Sequence, residues 1–281
     1  MTNESNTLTQ IELAERFHAL HHGENTLVLP NVWDCASAKI FEEAGFSALA
    51  TTSSGISFSC GYQDGEHISP ALMLEVVRRI TRTVKIPVTA DIEGGYAKGD
   101  KAAFSQFING IIEAGAVGVN LEDRNAQTGK LNKITHQVGL IRRVKEICKQ
   151  RGVNLFVNAR TDAFMAVPGD LDTRRKIALE RADAFEQAGA DGIFVPFIRN
   201  METVAFLKEH IHLPLNILME ESLDIAGLRK LKVNRVSTGS KPILATMSLL
   251  KKIAAALGSG DDWSPIFTND TSYAEANKWY A

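Results

Sequence analysis

The apolar positions along the chain repeat with two different periods. Short runs rich in apolar and β-branched residues recur throughout, and stretches with helical spacing lie between them. Eight short runs predict strands, at 27–30, 47–52, 87–92, 116–121, 154–158, 192–195, 215–218 and 235–238. The clearest amphipathic stretches predict helices, at 70–84, 101–114, 139–149 and 173–188. The chain therefore reads as eight strands, each followed by a helical stretch.

This repetition predicts the fold class. Runs such as Gly-Ile-Phe-Val at 192–195 are continuously apolar, which is typical of parallel strands buried on both faces. Repeated strand–helix units imply a parallel sheet covered by helices. Eight such units in about 250 residues indicate an α/β protein with a closed (β/α)₈ TIM barrel. A doubly wound open sheet is the alternative.

The chain is predicted to have a barrel domain at 1–257 and a C-terminal helical extension at 258–281. The extension carries two tryptophans and two tyrosines, which are Trp263, Tyr273, Trp279 and Tyr280. Aromatic rings are stabilised by burial, either on their own barrel or on a neighbouring subunit. We expect the neighbouring subunit, and therefore a homodimer or a homotetramer.

Charge and composition exclude several classes of partner. The net charge of the 281 residues is −2, with both signs interspersed, which argues against nucleic acid and against an anionic membrane surface. The N-terminus is polar, and no apolar run approaches the roughly 20 residues of a membrane-spanning helix. The three cysteines lack a Cys-x-x-Cys spacing, which fits a reducing, cytoplasmic setting.

Acidic residues follow several of the predicted strands. In a (β/α)₈ barrel the active site lies at the C-terminal strand ends, where Asp34, Asp91, Glu93 and Glu122 stand. Residues two apart on a strand face the same side, so we expect Asp91 and Glu93 to point together. Packed carboxylates repel one another unless a cation compensates them. Oxygen ligands without histidine or thiolate favour Mg²⁺, or Mn²⁺, over zinc.

Other residues at the same rim are suited to bind an anionic substrate. Arg160 follows the fifth strand, and its guanidinium matches a carboxylate or phosphate bidentately. A structural ion pair with Asp162 or Glu122 is the alternative interpretation. Small residues after the second strand offer backbone N–H groups to an anion: Thr52, Ser53, Ser54 and Gly55. Asn216, on the predicted strand 215–218, is a further candidate for substrate binding.

Five motifs that occur in order along the chain resemble the phosphoenolpyruvate mutase/isocitrate lyase superfamily. They are LPNVWDCASA, TTSSGIS, TADIEGGY, NLEDR and NARTDAF, and the likeness extends over about 14–257. The resemblance implies that Asp91 lies closest to a magnesium ion and that Arg160 grips the substrate. It implies that Glu122 and Asp34 reach the metal mostly through water, that Glu93 replaces a usual aspartate and that 52–55 hold the substrate carboxylate. It also implies that the last helix is exchanged between subunits of dimers or tetramers.

Two departures from this family pattern bear on the reaction. The isocitrate and methylisocitrate lyases of the superfamily carry a cysteine in the loop after strand four, but 124–133 contain none. Their glutamate after strand six is also absent, because 195–197 read Val-Pro-Phe. Both departures argue against these two activities. Lys130 and Asn132 resemble a Lys-x-Asn element of the phosphonomutases. Together with Arg160 and Asp34 they are the candidate catalytic residues. We expect the loop 124–136 to close over the site.

The sequence therefore predicts an enzyme, and three functional hypotheses follow. The first is a magnesium-dependent lyase that cleaves the C–C bond next to the 2-oxo or 2-hydroxy carboxylate of a small diacid, through an enolate. Decarboxylation of the oxaloacetate type is favoured because the resulting enolate can take its proton from solvent. The second is a phosphoenolpyruvate phosphonomutase or phosphonopyruvate hydrolase acting on a P–C bond. The third is a non-catalytic, ligand-binding barrel.

Overall fold

The computed structural model describes residues 8–260, 263–267 and 271–280. The chain divides into two compact units, the first ending at Gly239 and the second beginning at Ser240. The first unit contains the β-sheet and the predicted site residues. The predicted domain boundary at 257/258 stays a prediction.

Nine strands form the sheet of the first unit, and each pairs in parallel with its neighbours. They are β1 Leu27–Leu29, β2 Asn31–Val32, β3 Leu49–Thr51, β4 Val88–Asp91, β5 Gly118–Glu122, β6 Phe156–Arg160, β7 Gly192–Val195, β8 Leu215–Leu218 and β9 Arg235–Ser237. The order runs β1-β9-β8-β7-β6-β5-β4-β3-β2. Because only Pro30 separates β1 from β2, the two ends of this order are one interrupted strand. The sheet thus closes into the predicted eight-stranded barrel.

The seam of the barrel lies at this interruption. Pro30 has no N–H to donate, but its carbonyl accepts a hydrogen bond from Ala50 N at 3.0 Å. Asn31 N donates to Thr238 Oγ1 at 2.9 Å, and Asn31 Oδ1 accepts from Thr238 N at 3.0 Å. Side-chain bonds therefore join the two edges where the backbone ladder lacks a donor.

Helices follow the strands, as the alternating pattern predicts. Within the described part of the first unit they are α1 Gln10–His21, α2 Cys35–Glu43, α3 Ser53–Ser59, α4 Pro70–Thr83, α5 Lys101–Glu113, α6 Ile134–Arg151, α7 Ala163–Ala166, α8 Leu171–Gln187, α9 Met201–His210 and α10 Ile225–Lys230. Several begin at side-chain caps that satisfy free N–H groups, for example Ser69 before α4 and Asp170 before α8.

The helix α1 lies across the N-terminal end of the barrel. Gln10 Nε2 donates to the carbonyl of Ala116, just before β5, at 2.8 Å. The ring of Phe17 is fully buried and meets Phe156 edge-on at 5.6 Å. His21 stacks on the same Phe156 ring at 3.9 Å. These contacts close the end of the barrel opposite the predicted site.

The second unit contains α11 Lys241–Ser259, a 3₁₀ turn Ser264–Ile266 and α12 Tyr273–Lys278. Many large apolar side chains of this unit are exposed: Leu244, Met247, Leu249, Leu250, Leu257, Trp263, Phe267, Tyr273 and Tyr280. Of the predicted extension 258–281, positions 261, 262, 268–270 and 281 lie outside the described residues. No helix in the described ranges is both long and apolar enough to cross a lipid bilayer.

Candidate active site

Strand register brings three of the predicted site residues to one rim. The strands β4, β5 and β6 end at Asp91, Glu122 and Arg160, respectively. Glu122 and Arg160 are direct partners in the parallel register of β5 and β6. Arg160 Nη1 lies 2.9 Å from Glu122 Oε2. The sheet itself therefore places an acid beside the predicted substrate-binding arginine.

These side chains surround a small cavity of about 130 Å³, which we call the acid chamber. Its lining consists of Ser53, Asp64, Gly65, His67, Glu93, Glu122, Arg124, Ala126 and Arg160. Asp91 adjoins it through Ser53, because Asp91 Oδ2 accepts from Ser53 Oγ at 2.9 Å and from Ser53 N at 3.2 Å. A larger cavity of about 860 Å³ between α5 and α6 contains none of these acids. The acid chamber is therefore the candidate active site.

Glu93 reaches the chamber by a turn and not by strand alternation. The strand β4 ends at Asp91, and Glu93 has a φ of 47°, in the left-handed region that a non-glycine residue seldom occupies. Its Oε1 accepts from the Tyr96 hydroxyl, and its Oε2 accepts from Glu66 N at 2.9 Å. The expectation that Asp91 and Glu93 face together as strand neighbours is therefore wrong in its reason, because the strand stops before Glu93.

The same turn requires a glycine at position 95. Gly95 has a φ of 100°, and a Cβ there would lie 2.4 Å from a ring carbon of Phe104. Only glycine combines this backbone conformation with so close a neighbour. Gly95 consequently permits the turn that holds Glu93.

Crowding of carboxyl groups changes their proton affinity. Burial, together with the charges of Asp64 and Asp91, raises the pKa of Glu93 to about 8. Burial also raises the pKa of Glu122 well above its usual range, although Arg160 opposes the shift. The side chain of Asp64 is solvent-accessible, yet the protein packed around its carboxyl and the charge of Asp91 raise its pKa as well. The chamber is a place where added positive charge would be favourable.

Arg160 is held in one orientation. Its Nε lies 2.6 Å from Asp162 Oδ1 and its Nη2 lies 2.9 Å from Asp162 Oδ2, a bidentate pair. The guanidinium also lies over the rings of Phe194 and Phe197, at 5.6 and 5.9 Å from their centroids. Burial by itself lowers the pKa of Arg160, but Glu122 and Asp162 outweigh it and raise the pKa. Both structural ion pairs considered from the sequence therefore form, and they fix a permanent cation at the chamber wall.

Two further buried charged residues, Asp123 and Arg181, hold Asp162 in position. Asp123 is fully buried, and its Oδ1 accepts from Asp162 N at 3.0 Å. Its Oδ2 accepts from Arg181 Nη1 of α8 at 2.8 Å. The sequence pattern alone assigns no role to Asp123 or Arg181. Their signal was weak, because a helix arginine far along the chain gives no local sign of its partner.

The loop 124–133, which we call the lid loop, is folded as a small hairpin. Arg124 forms an antiparallel bridge with Leu131, and Asn125 N donates to Lys130 O at 2.9 Å. Arg124 and Ala126 line the acid chamber. Lys130 is exposed and lines a different cavity, of about 460 Å³. Asn132 lines a cavity of about 190 Å³ beside the chamber, which we call the side cavity.

Apart from Ser53, the structure locates the remaining predicted site residues outside the chamber lining. Asp34 caps α2, and its Oδ1 accepts from Ser37 N at 2.7 Å. Thr52 caps α3, with its Oγ1 3.4 Å from Gly55 N. Asn216 is buried on β8, where its Oδ1 accepts from Ser237 Oγ at 3.2 Å. Of the segment 52–55, Ser53 lines the chamber. Roles for Asp34, Lys130, Asn132, Asn216 and the segment 52–55 in catalysis or binding stay predictions.

Several chamber residues could not be predicted from strand ends because they lie on loops. Asp64 and His67 come from the loop between α3 and α4, and Arg124 begins the lid loop. Such loops belong to the same C-terminal rim as the strand ends, so their charged residues were available as a signal. No histidine directly follows a predicted strand in the sequence. His67 instead reaches the chamber from the loop between α3 and α4.

The donors of the chamber fit a hydrated, hard cation. The acids offer oxygen ligands, which suit Mg²⁺ or Mn²⁺. In the described ranges no group of three or more histidine, cysteine, aspartate or glutamate side chains is arranged to hold a metal directly. Mg²⁺ usually keeps several waters and binds through one or two carboxylates. The raised pKa values of Glu93 and Glu122 agree with a site that gains from a cation.

The closed parallel barrel and the acidic chamber at its C-terminal rim define a (β/α)₈-barrel enzyme. The family described as phosphoenolpyruvate phosphomutase matches residues 17–258, and the chain belongs to this family. A 2-methylisocitrate lyase of Bacillus subtilis is 31% identical, over 76% of this chain and 69% of its own. An oxaloacetate decarboxylase of Pseudomonas aeruginosa is 27% identical, over 95% of this chain and 94% of its own.

A solved structure shows the same architecture. A crystal structure of a candidate phosphonomutase from Burkholderia cenocepacia is 37% identical in sequence and has a TM-score of 0.82. It covers 87% of this chain, and the match spans 99% of its own. These similarities include both lyases and a mutase, so they establish the enzyme family without naming the reaction of this chain.

Proposed function

We propose that the protein is a magnesium-dependent lyase that decarboxylates a small 2-oxo diacid of the oxaloacetate type. The observation that carries this proposal is the position of Arg160, locked by Asp162 and paired with Glu122 at the wall of an acidic chamber. The small volume of the chamber, about 130 Å³, favours a substrate of few carbon atoms. The similarity to an oxaloacetate decarboxylase over 95% of the chain supports the same reaction.

The chain supplies binding and charge stabilisation for this reaction. Arg160 would bind an oxygen of the substrate's 2-oxo acid group through its two Nη atoms, with Asp162 keeping the guanidinium in plane. When the bond between C3 and the departing carboxylate breaks, its electron pair moves toward the 2-oxo oxygen and CO₂ leaves. Arg160 stabilises the negative charge that develops there. A proton from water then adds to C3 and completes the product.

Magnesium held by Asp91, Glu93, Glu122 and Asp64 would supply positive charge that stabilises the developing enolate. Asp91 is suited to direct contact because Ser53 occupies only its Oδ2 among the described residues. Glu93 is suited to a water-bridged position because the Tyr96 hydroxyl and the Glu66 backbone N–H already donate to its two carboxylate oxygens.

Absence of a cysteine from the lid loop favours decarboxylation over aldol-type cleavage. Cleavage of a 2-hydroxy diacid requires a positioned base for the hydroxyl proton, whereas an enolate left by CO₂ needs only solvent for its proton. The 31% identity to a 2-methylisocitrate lyase makes cleavage the comparison to include in any assay.

The deciding experiment incubates the purified protein with oxaloacetate, methylated malates and phosphonopyruvate, followed by ¹H and ³¹P NMR. Each incubation is run with Mg²⁺ and with EDTA. We expect metal-dependent pyruvate from oxaloacetate, above the rate with Mg²⁺ alone, and loss of the excess in Arg160→Met. Equal rates with and without protein would overturn the proposal.

Phosphonate chemistry is the second candidate, favoured by the 37% identity to a candidate phosphonomutase. The lid loop carries Lys130 and Asn132, which this reaction would use. In that case ³¹P signals of phosphonopyruvate would move, and Lys130→Ala or Asn132→Ala would abolish the change. A decarboxylase should tolerate the loss of Lys130, whose side chain is exposed outside the chamber.

We further propose that the protein is a homodimer or homotetramer. The exposed apolar side chains of α11, among them Leu249 and Leu250, would be covered by a second copy of the chain. Light scattering coupled to size exclusion measures the mass directly. Leu249→Glu combined with Leu250→Glu should then reduce the assembly, and a wild-type mass of about 30.7 kDa, that of one chain, would contradict the proposal.

A further inference from the structure

Two arginines line the acid chamber, and they differ in how they are held. Arg160 is committed to Asp162 through Nε and Nη2 and to Glu122 through Nη1. The guanidinium of Arg124 has one hydrogen bond among the described residues, from Nη1 to Met165 Sδ at 3.7 Å. A thioether is a weak acceptor. A bound anion can therefore recruit the guanidinium of Arg124 more readily than that of Arg160.

The backbone of Arg124, in contrast, is fixed. Arg124 pairs with Leu131 across the lid loop, and Asp123, the preceding residue, is clamped by Arg181. The Cα of Arg124 is thus anchored while its side chain lies on Met165, which is 50% exposed. The backbone of such an arginine is anchored and its guanidinium is weakly held. The guanidinium can therefore turn toward a bound anion with little further loss of backbone conformational entropy.

Arg124 also stands at a boundary between cavities. It lines both the acid chamber and the side cavity, together with Ala126. Asp64, Glu93 and Glu122 also line the acid chamber, and Glu66 and Lys98 also line the side cavity. Glu66 is already occupied, because its Oε1 accepts from Tyr96 N at 2.8 Å. Arg124 and Arg160 line the same small chamber, so a substrate held there by Arg160 lies in a cavity that Arg124 also lines.

We propose that Arg124 binds the distal anionic group of the substrate and thereby selects dianionic over monoanionic 2-oxo and 2-hydroxy acids. This inference rests on the proposed function, since it takes the acid head of the substrate to lie beside Arg160. The distal group would be a carboxylate, which accepts two parallel N–H bonds from a guanidinium. Arg124 then leaves Met165 for the substrate, and Met165 serves as its resting contact.

The test compares two probes that share a 2-hydroxy acid head and differ only at the far end. Malate, taken as each enantiomer, carries the distal carboxylate, and lactate has hydrogen in its place. Neither is a 2-oxo acid, so decarboxylation does not interfere. Isothermal titration calorimetry of the full chain with Mg²⁺ measures both dissociation constants.

We expect the wild-type protein to bind one malate enantiomer at least about tenfold more tightly than lactate. Arg124→Met should weaken malate binding by about tenfold or more and leave lactate binding unchanged, and Arg124→Lys should retain part of the difference. Arg142→Met, which removes an exposed charge from α6, is the matched control and should change neither constant.

Each result decides the role of Arg124 separately from the reaction. An equal loss of malate and lactate binding in Arg124→Met, or a wild-type protein without preference for malate, would overturn the inference. A malate preference that depends on Arg124 supports it even if oxaloacetate is not decarboxylated, and in that case only the proposed reaction fails.

Discussion

Arg181 Nη1 donates to Asp123 Oδ2 at 2.8 Å, a buried ion pair between α8 and the end of β5. The same guanidinium donates from Nη2 to Asn132 O at 2.8 Å, and Asn132 N donates to Asp123 O at 2.8 Å. Asp123 directly precedes the lid loop, and Asn132 is its last residue but one. One arginine therefore holds both ends of the lid loop together, and through Asp123 it also supports Asp162 and Arg160.

Removing Arg181 should lower the free energy of unfolding. Arg181→Met leaves Asp123 as an unpaired buried charge, and breaking such a pair lowers the free energy of unfolding by about 3–5 kcal/mol. Lys176→Met is the control on the same helix, because the Lys176 side chain is exposed and surface substitutions usually change the free energy of unfolding by about 0.5 kcal/mol or less. Urea denaturation of both variants gives the comparison, and equal losses would contradict the structural role assigned to Arg181.

The affinity for Mg²⁺ should depend on Asp64 more than on Asp34. Asp91→Asn should weaken Mg²⁺ binding most, by tenfold or more on the scale of about 1.4 kcal/mol per tenfold. Asp64→Asn should weaken it less, as expected of a water-bridged ligand. Asp34→Asn should leave it nearly unchanged, because its carboxylate caps α2. Calorimetric titration with MgCl₂ measures all three, and a larger effect at Asp34 than at Asp64 would favour the sequence-based assignment of Asp34.

The raised pKa of Glu93 predicts a pH dependence of stability without metal. Its pKa in the folded chain is about 8 against an ordinary value of 4.5, so the folded state binds this proton more tightly than the unfolded state. The free energy of unfolding should therefore fall as the pH rises from 4.5 to 8. Glu93→Gln should remove much of this fall, by up to a few kcal/mol.

Denaturation of the EDTA-treated protein at several pH values checks this expectation for Glu93. The exposed Glu43 on α2 provides the control substitution, Glu43→Gln, which should leave the pH profile of the wild type intact. Parallel profiles for the wild type and Glu93→Gln across the whole window would show that Glu93 is already ionised there.

The contact of α1 with the barrel should contribute strongly to stability. Phe17 is fully buried against Phe156, and truncating a buried phenylalanine typically lowers the free energy of unfolding by 3–5 kcal/mol. Ile11 on the same helix is 52% exposed, so Ile11→Ala should change it by only about 0.5 kcal/mol. Similar denaturation midpoints for Phe17→Ala and Ile11→Ala would show that α1 does not close the barrel as a structural element.

The strands were predictable because their burial makes them continuous apolar runs. The match is poorest at β6, which was expected at 154–158 but lies at Phe156–Arg160. Its last residues include Asn158 and Arg160, which the barrel turns inward although they are polar. A rule based on apolar runs ends such a strand too early, since it cannot know that a barrel interior accepts hydrogen-bonded polar groups.

The residues of the site were predictable only where a charged residue stands at a strand end. Glu122 and Arg160 lie at strand ends, and the structure pairs them. Asp64 and Arg124 reach the chamber from loops, whose course depends on the packing of the whole barrel. Asp34 follows a strand as well, yet its carboxylate is taken by the helix that begins there. Position along the chain thus identified candidates, while competing backbone partners decided which of them reach the chamber.

The hairpin of the lid loop affects the entropy of substrate binding. An unstructured loop loses about 1–2 kcal/mol of conformational free energy for each residue that becomes ordered when it closes. The residues 124–133 are already joined by a backbone bridge, and Asn125 Oδ1 accepts from Thr128 N at 2.9 Å inside the turn. Closure would therefore move a preformed body about its two clamped ends. Binding of a small acid to this enzyme should show a modest entropic penalty, unlike enzymes whose lids fold around their ligands.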